Sequence, residues 1–179
     1  MTKKTNEIEI PEGVEAEVEN NTLVVKGKEG ENKREFKTHM VKIEKKGNKI
    51  ILNTKRTTKR EKKMTNTIRA HIINMIKGVQ EKFVYKLKIC FLHFPITVSI
   101  EKKEALIKNF LGEKVPRKIK LLEKADINVD KEIITVKSVD KEIAGQTAAD
   151  FEKITRISLR DRRVFQDGIF ITEKAGEAV

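Results

Sequence analysis

The chain has 179 residues, of which 38% are hydrophobic, and 39 lysines and arginines against 27 acids give it a net charge of +12. This composition argues against wholesale disorder, and the excess of cations favours a polyanionic partner. No apolar run reaches the roughly 18 residues of a membrane helix, and no apolar segment of a secretory signal follows Met1, so we expect a cytoplasmic protein with no membrane partner. The single cysteine excludes an intrachain disulfide.

The first half of the chain predicts two hairpins followed by a helix. Alternating apolar residues on either side of Asn20-Asn21 predict the first hairpin, and the sequence VKIEKKGNKIILNT predicts a second that turns near Gly47. The helix is predicted from apolar residues at helical spacing, with Thr65 or Thr67 as the candidate N-cap. Its apolar stripe comprises Ile68, Ile72, Met75, Ile76 and Val79.

The second half repeats this order of elements. ITVSI and EALIKNF flank a Lys102-Lys103 turn, INVDKEIITVKS predicts another hairpin, and a helix should begin around Gly145, with Thr147 near its start. The repetition predicts an α+β fold of two tandem similar domains, each an antiparallel sheet packed against one main helix. We expect an N-terminal α+β domain over residues 1–82 and a C-terminal one, with a short tail, over residues 83–179.

Familiar catalytic and metal-binding motifs are absent from the sequence. It has no phosphate-binding P-loop, no dinucleotide-binding glycine pattern and no zinc-protease motif, and its three histidines are far apart. We therefore expect no cofactor, no metal site and no enzyme activity. The sequence Gly27-Lys-Glu-Gly30 matches the G-x-x-G loop of single-stranded RNA-binding KH domains, but it follows a strand instead of joining two helices, so a turn is the better interpretation.

Three clusters of basic residues are the positive signals for a partner. The cluster before the first helix is explained equally well by a solvated loop and by a secondary RNA contact. The other two lie in the second half: a loop shaped by Gly112 and Pro116, and an arginine-rich segment after the second helix, where guanidinium groups suit phosphates. Aromatic residues make up only 5%, which favours a folded RNA bound through its backbone over a stacked single strand. The first cluster comprises Lys55, Arg56, Lys59, Arg60, Lys62 and Lys63.

Several segments resemble, in order, the ribosomal protein L6 family of the large ribosomal subunit, in its archaeal type. They are TIRAHIINMIKGV with YKLKICFLHFPI, then NFLGEKVPRKIK, DKEIAGQTAADFEKIT and RDRRVFQDGIFITEKAG, and the resemblance runs from about Ile8 to Gly176. It implies two tandem α+β domains and a structural role in the cytoplasmic large subunit. It also implies binding to large-subunit rRNA near the sarcin-ricin loop, with neighbouring ribosomal proteins as partners and translational GTPases nearby when docked.

The resemblance also implies which residues contact the rRNA. The helix start at Gly145 to Thr147 should offer free backbone N–H groups to a phosphate. We expect Asp167-Gly168 to form the turn that fixes the arginine-rich loop, and Ile169 to Ile171 to anchor it in the sheet. The implied contacts are Asn109, Lys114, Arg117, Lys118, Gly145, Gln146, Thr147, Arg156, Arg160, Arg162, Arg163, Gln166 and Lys174.

Two other functions fit parts of this pattern. An extra-ribosomal protein that binds structured RNA would need the same positive charge. A basic enzyme acting on nucleic acid would need a cluster of carboxylates or histidines, which the sequence does not display.

Overall fold

The computed structural model of the protein describes residues 6–19, 21–38, 40–54, 58–161 and 163–179. The chain separates into two compact units, unit 1 (Met1–Lys82) and unit 2 (Phe83–Val179). In each unit antiparallel strands pack against one long helix, which confirms the predicted α+β class. The described strands of each unit form two sheets, so each helix covers strands from more than one sheet.

Unit 1 carries both hairpins expected in the first half of the chain. They are the β2–β3 and β5–β6 pairs, and the sheets have the strand orders β1-β6-β5 and β2-β3-β4. The predicted apolar stripe of the helix is buried against these strands. The elements are β1 (Asn6–Glu9), β2 (Glu15–Glu19), β3 (Thr22–Gly27), β4 (Gly30–Glu35), β5 (Val41–Lys46), β6 (Lys49–Thr54) and α1 (Lys59–Gln80).

Helix α1 begins earlier than the sequence prediction placed it. Its N-cap is Thr58, whose hydroxyl accepts from the Glu61 N–H at 3.3 Å while the Glu61 carboxylate accepts from the Thr58 N–H at 3.2 Å. This reciprocal capping box satisfies backbone donors that the first turn leaves without partners. The prediction of Thr65 or Thr67 as the N-cap was therefore wrong, since both hydroxyls donate to carbonyls inside the helix.

Gly27 brings strand β3 against the end of α1. A Cβ atom at this position would lie 2.8 Å from the Val79 carbonyl oxygen, which already accepts a hydrogen bond from the Glu29 N–H at 3.0 Å. Gly27 pairs with Gly30 across the β3–β4 hairpin, and Gly30 has a φ of 135°. The interpretation of this G-x-x-G sequence as a turn is confirmed.

Unit 2 contains a five-stranded sheet of order β11-β12-β7-β13-β14 and a three-stranded sheet of order β10-β9-β8. The predicted hairpins are the β8–β9 and β11–β12 pairs. Its elements are β7 (Phe83–Cys90), β8 (Thr97–Glu101), β9 (Glu104–Lys108), a short 3-10 helix (Phe110–Gly112), β10 (Arg117–Lys120), β11 (Asp126–Asp130), β12 (Ile133–Ser138), α2 (Lys141–Ile154), β13 (Gly168–Lys174) and β14 (Glu177–Ala178).

Helix α2 also begins before its predicted start. Asp140 is the N-cap and accepts from the Glu142 N–H at 2.9 Å, so Gly145 lies in the second turn. Backbone N–H groups from the fifth helical residue onward bond to carbonyls one turn earlier. The expected free N–H groups at residues 145–147 are therefore engaged within the helix, and the prediction that the helix starts at these residues was wrong.

The segment Asp167-Gly168 is not a turn. Gly168 is the first residue of β13 and pairs with Cys90 of β7, and its φ is not positive. The Asp167 side chain is buried. Ile169 is fully buried and anchors the strand, as predicted, whereas the Phe170 side chain lies on the exposed face.

No helix in the described ranges of the chain is long and apolar enough to cross a membrane.

Candidate nucleic-acid interface

Three segments of unit 2 meet at the C-terminal end of α2, and we call their described residues the loop cluster: residues 91–95, residues 109–118, and residues 155–161 with 163–168. Arg117 joins the second segment to the helix. Its Nη1 donates to the Ile154 carbonyl, one of the last carbonyls of α2, which have no partner within the helix. A cation is also favoured at this negative end of the helix dipole.

The Arg117 guanidinium makes its other contacts inside its own loop. Nε lies 2.8 Å and Nη2 2.5 Å from the two carboxylate oxygens of Glu113, and Cζ lies 4.3 Å from the centre of the Phe110 ring. The side chain is 28% exposed. Arg117, which the sequence predicted as an RNA contact, is thus placed mainly to shape the loop that carries Lys114 and Lys118.

The electrostatics of Glu113 show that the second and third segments are neighbours. The hydrogen bond from Arg117 holds the pKa of the Glu113 carboxyl below its ordinary value, against the opposing effect of partial burial. The charge of Arg160, in the third segment, lowers this pKa further. Cations from the two segments therefore share one local field.

The segment 91–95 lies between the other two. On one side Asn109, whose backbone is in the left-handed region with a φ of 59°, donates from its side-chain amide to the Pro95 carbonyl at 3.1 Å. A Cβ on Gly112 would lie 3.3 Å from the Phe94 ring. On the other side the backbone N–H of Leu92 donates to the Asp167 carboxylate. Asn109 therefore fixes the arrangement of the loops.

The arginine-rich third segment is folded by its own polar groups. The N–H of Arg163 donates to the Asp161 side chain at 2.9 Å, and the N–H of Phe165 donates to the Asp161 carbonyl, also at 2.9 Å. The Gln166 amide donates to the Arg163 carbonyl at 3.1 Å. At the base, the Thr155 hydroxyl accepts from the N–H of Ile169 at 3.0 Å and ties the end of α2 to β13. The predicted contact Arg162 lies outside the described residues.

The loop cluster exposes several cations on one part of unit 2. Two come from the second segment and three from the third, and all five residues are exposed. The acids nearby are engaged, since Glu113 pairs with Arg117 and Asp161 accepts from backbone N–H groups. The exposed cations among the predicted contacts are Lys114, Lys118, Arg156, Arg160 and Arg163.

Four predicted contacts do not belong to the loop cluster. Thr147, a predicted RNA contact, is 2% exposed, and its hydroxyl donates to the Ile143 carbonyl at 2.8 Å within the helix. Gly145 lies about 13 Å along α2 from the helix end and faces the Tyr85 hydroxyl. The exposed Gln146 amide donates to Asp150 at 2.8 Å. Lys174 pairs with Tyr85, about 20 Å along β13 from Gly168.

Four residues of the basic cluster of unit 1 lie on a helix and not in a loop. Lys59, Arg60, Lys62 and Lys63 occupy the first two turns of α1 and are exposed. The remaining members of the cluster, Lys55 and Arg56, lie outside the described residues. Glu61, the only acid of the helix, is buried in the capping box.

Sequence reasoning missed two further cations of α1. Arg69 and Lys77 are exposed on the same helix, so its solvent side carries six cations and no exposed acid. Lys77 lies five turns after Lys59 and Arg69 lies about two turns after Lys62, so this spacing would have revealed them once the helix start was set at Thr58.

Sequence reasoning also missed a set of ring and carboxylate contacts in the loop cluster. His93 Nδ1 lies 2.8 Å from a carboxylate oxygen of Asp167, and the His93 ring stacks on Phe165. Since 74 residues separate His93 from Asp167, no local pattern indicates this pair. Among the residues that the structure describes, no group of three or more histidines, cysteines or acids is arranged to hold a metal ion.

Comparison with known proteins shows the same family twice along the chain. The family model of ribosomal protein L6 matches residues 10–82 and again residues 94–168. The two matches confirm that the chain contains two tandem similar domains.

Individual relatives are similar to the chain over nearly its full length. Large ribosomal subunit protein uL6 of Methanobrevibacter smithii is 46% identical over 168 residues, which cover 94% of each chain. The uL6 protein of Nanoarchaeum equitans is 45% identical over 181 residues, covering 97% of this chain and 94% of the relative. That of Methanococcus vannielii is 43% identical over 173 residues. The resemblance identified from the sequence is confirmed, and the chain belongs to the ribosomal protein L6 family.

Proposed function

We propose that the protein is a structural component of the large subunit of the cytoplasmic ribosome, without enzyme activity, and that it binds large-subunit rRNA through the loop cluster of unit 2. The observation that carries this proposal is the convergence of three segments at the end of α2, with exposed cations on a framework of internal hydrogen bonds. Its family membership supports the ribosomal setting, because the relatives are named as proteins of the large ribosomal subunit.

The mechanism of binding is charge neutralisation by groups held in fixed positions. Each lysine or arginine that contacts a phosphate releases condensed counterions, which favours binding most at low salt. Arg156, Arg160 and Arg163 also present planar donor groups that match two phosphate oxygens at once. The contacts of Arg117, Asn109 and Asp161 hold the loops in place before binding, so less conformational freedom is lost when RNA is bound.

The exposed face of α1 is a secondary rRNA contact in this proposal. Its cations include four in the first two turns, where the helix dipole disfavours positive charge. A phosphate near these turns would meet both the side-chain cations and the positive end of the helix.

The finer part of the proposal concerns the location on the ribosome. The rRNA segment lies near the sarcin-ricin loop, neighbouring large-subunit proteins adjoin the protein, and translational GTPases dock nearby. This part rests on the family resemblance of the segments that carry the loop cluster.

Co-sedimentation tests the ribosomal setting against an extra-ribosomal RNA-binding role. The tagged protein should remain with large subunits after a wash at high salt, because an integral component is held by many contacts at once. Release into the supernatant together with other RNAs would favour the extra-ribosomal role.

Crosslinking tests the location. Photoreactive groups attached in the loop cluster of assembled subunits should mark rRNA nucleotides at and around the sarcin-ricin loop. Crosslinks confined to distant rRNA segments would contradict the location near the sarcin-ricin loop, but would not contradict rRNA binding itself.

A further inference from the structure

A continuous set of contacts links a buried carboxylate to an exposed arginine of the loop cluster. The Asp167 side chain is 1% exposed, and its two oxygens accept from the Leu92 N–H and from His93 Nδ1, the latter at 2.8 Å. The His93 ring lies 5.1 Å from the Phe165 ring with an interplanar angle of 19°. The Arg160 Cζ atom lies 4.8 Å from the Phe165 ring centre.

We infer that His93 and Asp167 are positioning residues that act through Phe165 to hold the Arg160 guanidinium in its RNA-binding orientation. This inference rests on the proposed rRNA-binding function. It assigns a role to a histidine and a buried acid that are not among the exposed lysines and arginines of the loop cluster.

The Asp167–His93 pair sets the plane of the stack. A buried carboxylate needs hydrogen-bond donors, and Asp167 receives one on each oxygen from the segment 91–95. Because a carboxylate only accepts hydrogen bonds, His93 Nδ1 carries a hydrogen in this contact, and the hydrogen bond fixes the direction of the ring. The Phe165 ring then lies between an oriented imidazole and Arg160.

Stacking restricts an arginine that would otherwise sample many rotamers. A guanidinium over a ring face is attracted by the ring quadrupole, and a restricted side chain loses less freedom when it binds a phosphate. Among the described cations of residues 155–168, Arg160 is the one that lies on an aromatic ring. The contacts of His93 and Asp167 therefore restrict Arg160 in particular before RNA is bound.

A double-mutant cycle on RNA affinity tests the role. His93→Ala should weaken binding to the cognate large-subunit rRNA fragment about fivefold when Arg160 is present, and should have little further effect in an Arg160→Ala protein. Equal losses in both backgrounds would mean that His93 supports the fold in general, and would overturn the inference. If His93→Ala does not fold, His93→Phe keeps a ring and enters the same cycle with the same criteria.

A measurement on the free protein separates this inference from the proposed function. The NMR signal of Arg160 Nε–H should be shifted by the Phe165 ring and should move towards that of a mobile arginine in His93→Ala. His71→Ala is the matched control, since the His71 ring also contacts a phenylalanine but lies in unit 1. An unchanged Arg160 signal would overturn the positioning role whether or not RNA binds. If the Arg160 signal moves in His93→Ala but the wild-type protein does not bind rRNA, the positioning role of His93 stands and the proposed function is rejected.

Discussion

Arg117 and Arg163 are both arginines of the loop cluster, yet their side chains have different surroundings. Arg117 directs its donors to Glu113 and the end of α2, whereas the Arg163 side chain extends into solvent. A count of basic residues would assign both to phosphates. Part of the positive charge of the loop cluster is therefore engaged in internal contacts, and the remainder is exposed.

The Glu113–Arg117 pair predicts a pH-dependent contribution to stability. Because the folded pKa of Glu113 lies below its ordinary value of 4.5, the pair stabilises the fold above that value and loses its effect as pH falls through the folded pKa. Glu113→Gln should lower the free energy of unfolding by at most about 1 kcal/mol at pH 7, since the carboxylate is partly exposed. Urea unfolding at pH 7, 5, 4 and 3 measures the difference.

Glu12→Gln, at an exposed position in unit 1, controls for the change of one charge. The difference between wild type and Glu113→Gln should shrink as the pH falls from 7 to 3. A difference that stays constant from pH 7 to pH 3 would contradict this account.

At the scale of elements, both helices were found from their apolar stripes, but both begin earlier than predicted. The stripe marks only the turns that face the core, such as Ile68 to Val79 in α1. The first turn of α1 projects its cations into solvent and carries no apolar signal. The better signal was the capping pair, a threonine at 58 followed three residues later by a glutamate.

The capping box of α1 can be tested by removing its hydroxyl. Thr58→Ala should lower the free energy of unfolding by about 1 kcal/mol, because the Glu61 N–H loses its acceptor. Thr67→Ala, within the helix and exposed, should change it by less than about 0.5 kcal/mol. Denaturant unfolding monitored by circular dichroism distinguishes the two, and a larger loss for Thr67→Ala would argue against the assigned helix start.

The contact between β3 and α1 predicts a severe effect at a glycine. Gly27→Ala would place Cβ 2.8 Å from a backbone oxygen that is held by its own hydrogen bond, so the strand or the helix must shift. We expect a loss of about 3 kcal/mol in the free energy of unfolding. Gly47→Ala isolates the cost of a positive φ, because its Cβ would meet nothing within 4 Å, and should cost about 1 kcal/mol. Equal losses would contradict the steric account.

At the scale of the whole molecule, the fold class could be predicted from the repeated order of hairpins and helix, and the family from segments that resemble its members. The candidate site could be predicted only in outline. Hydrophobic periodicity is local, so it revealed the hairpins and helices. The contacts that build the loop cluster join residues far apart in the chain, such as Arg117 to Ile154 and His93 to Asp167. Such pairs form through tertiary packing and leave no periodic trace.

The distribution of charge over the two units predicts a ranking of RNA-binding effects. Arg160→Ala with Arg163→Ala should reduce affinity for the cognate rRNA fragment and lower the slope of log affinity against log salt by about 0.9 or less per lost phosphate contact. Lys59→Ala with Arg60→Ala should have a smaller effect. Filter-binding or fluorescence titrations at several salt concentrations give both quantities.

Lys45→Ala with Lys46→Ala removes the same charge from exposed positions on β5 and should leave the slope unchanged. If the α1 pair proved more damaging than the arginine pair, the main rRNA contact would belong to unit 1.

The central place of β7 in the sheet of unit 2 bears on how the protein is made. In unit 1 the strand pairings and helix contacts are complete by residue 80, so this unit can fold while later residues are still being added. Strand β7 instead pairs with β13, and Cys90 meets Gly168, a partner synthesised 78 residues later. The loop cluster therefore takes shape only after β13 has been synthesised, and a nascent chain would acquire its positively charged helix face well before the loop cluster.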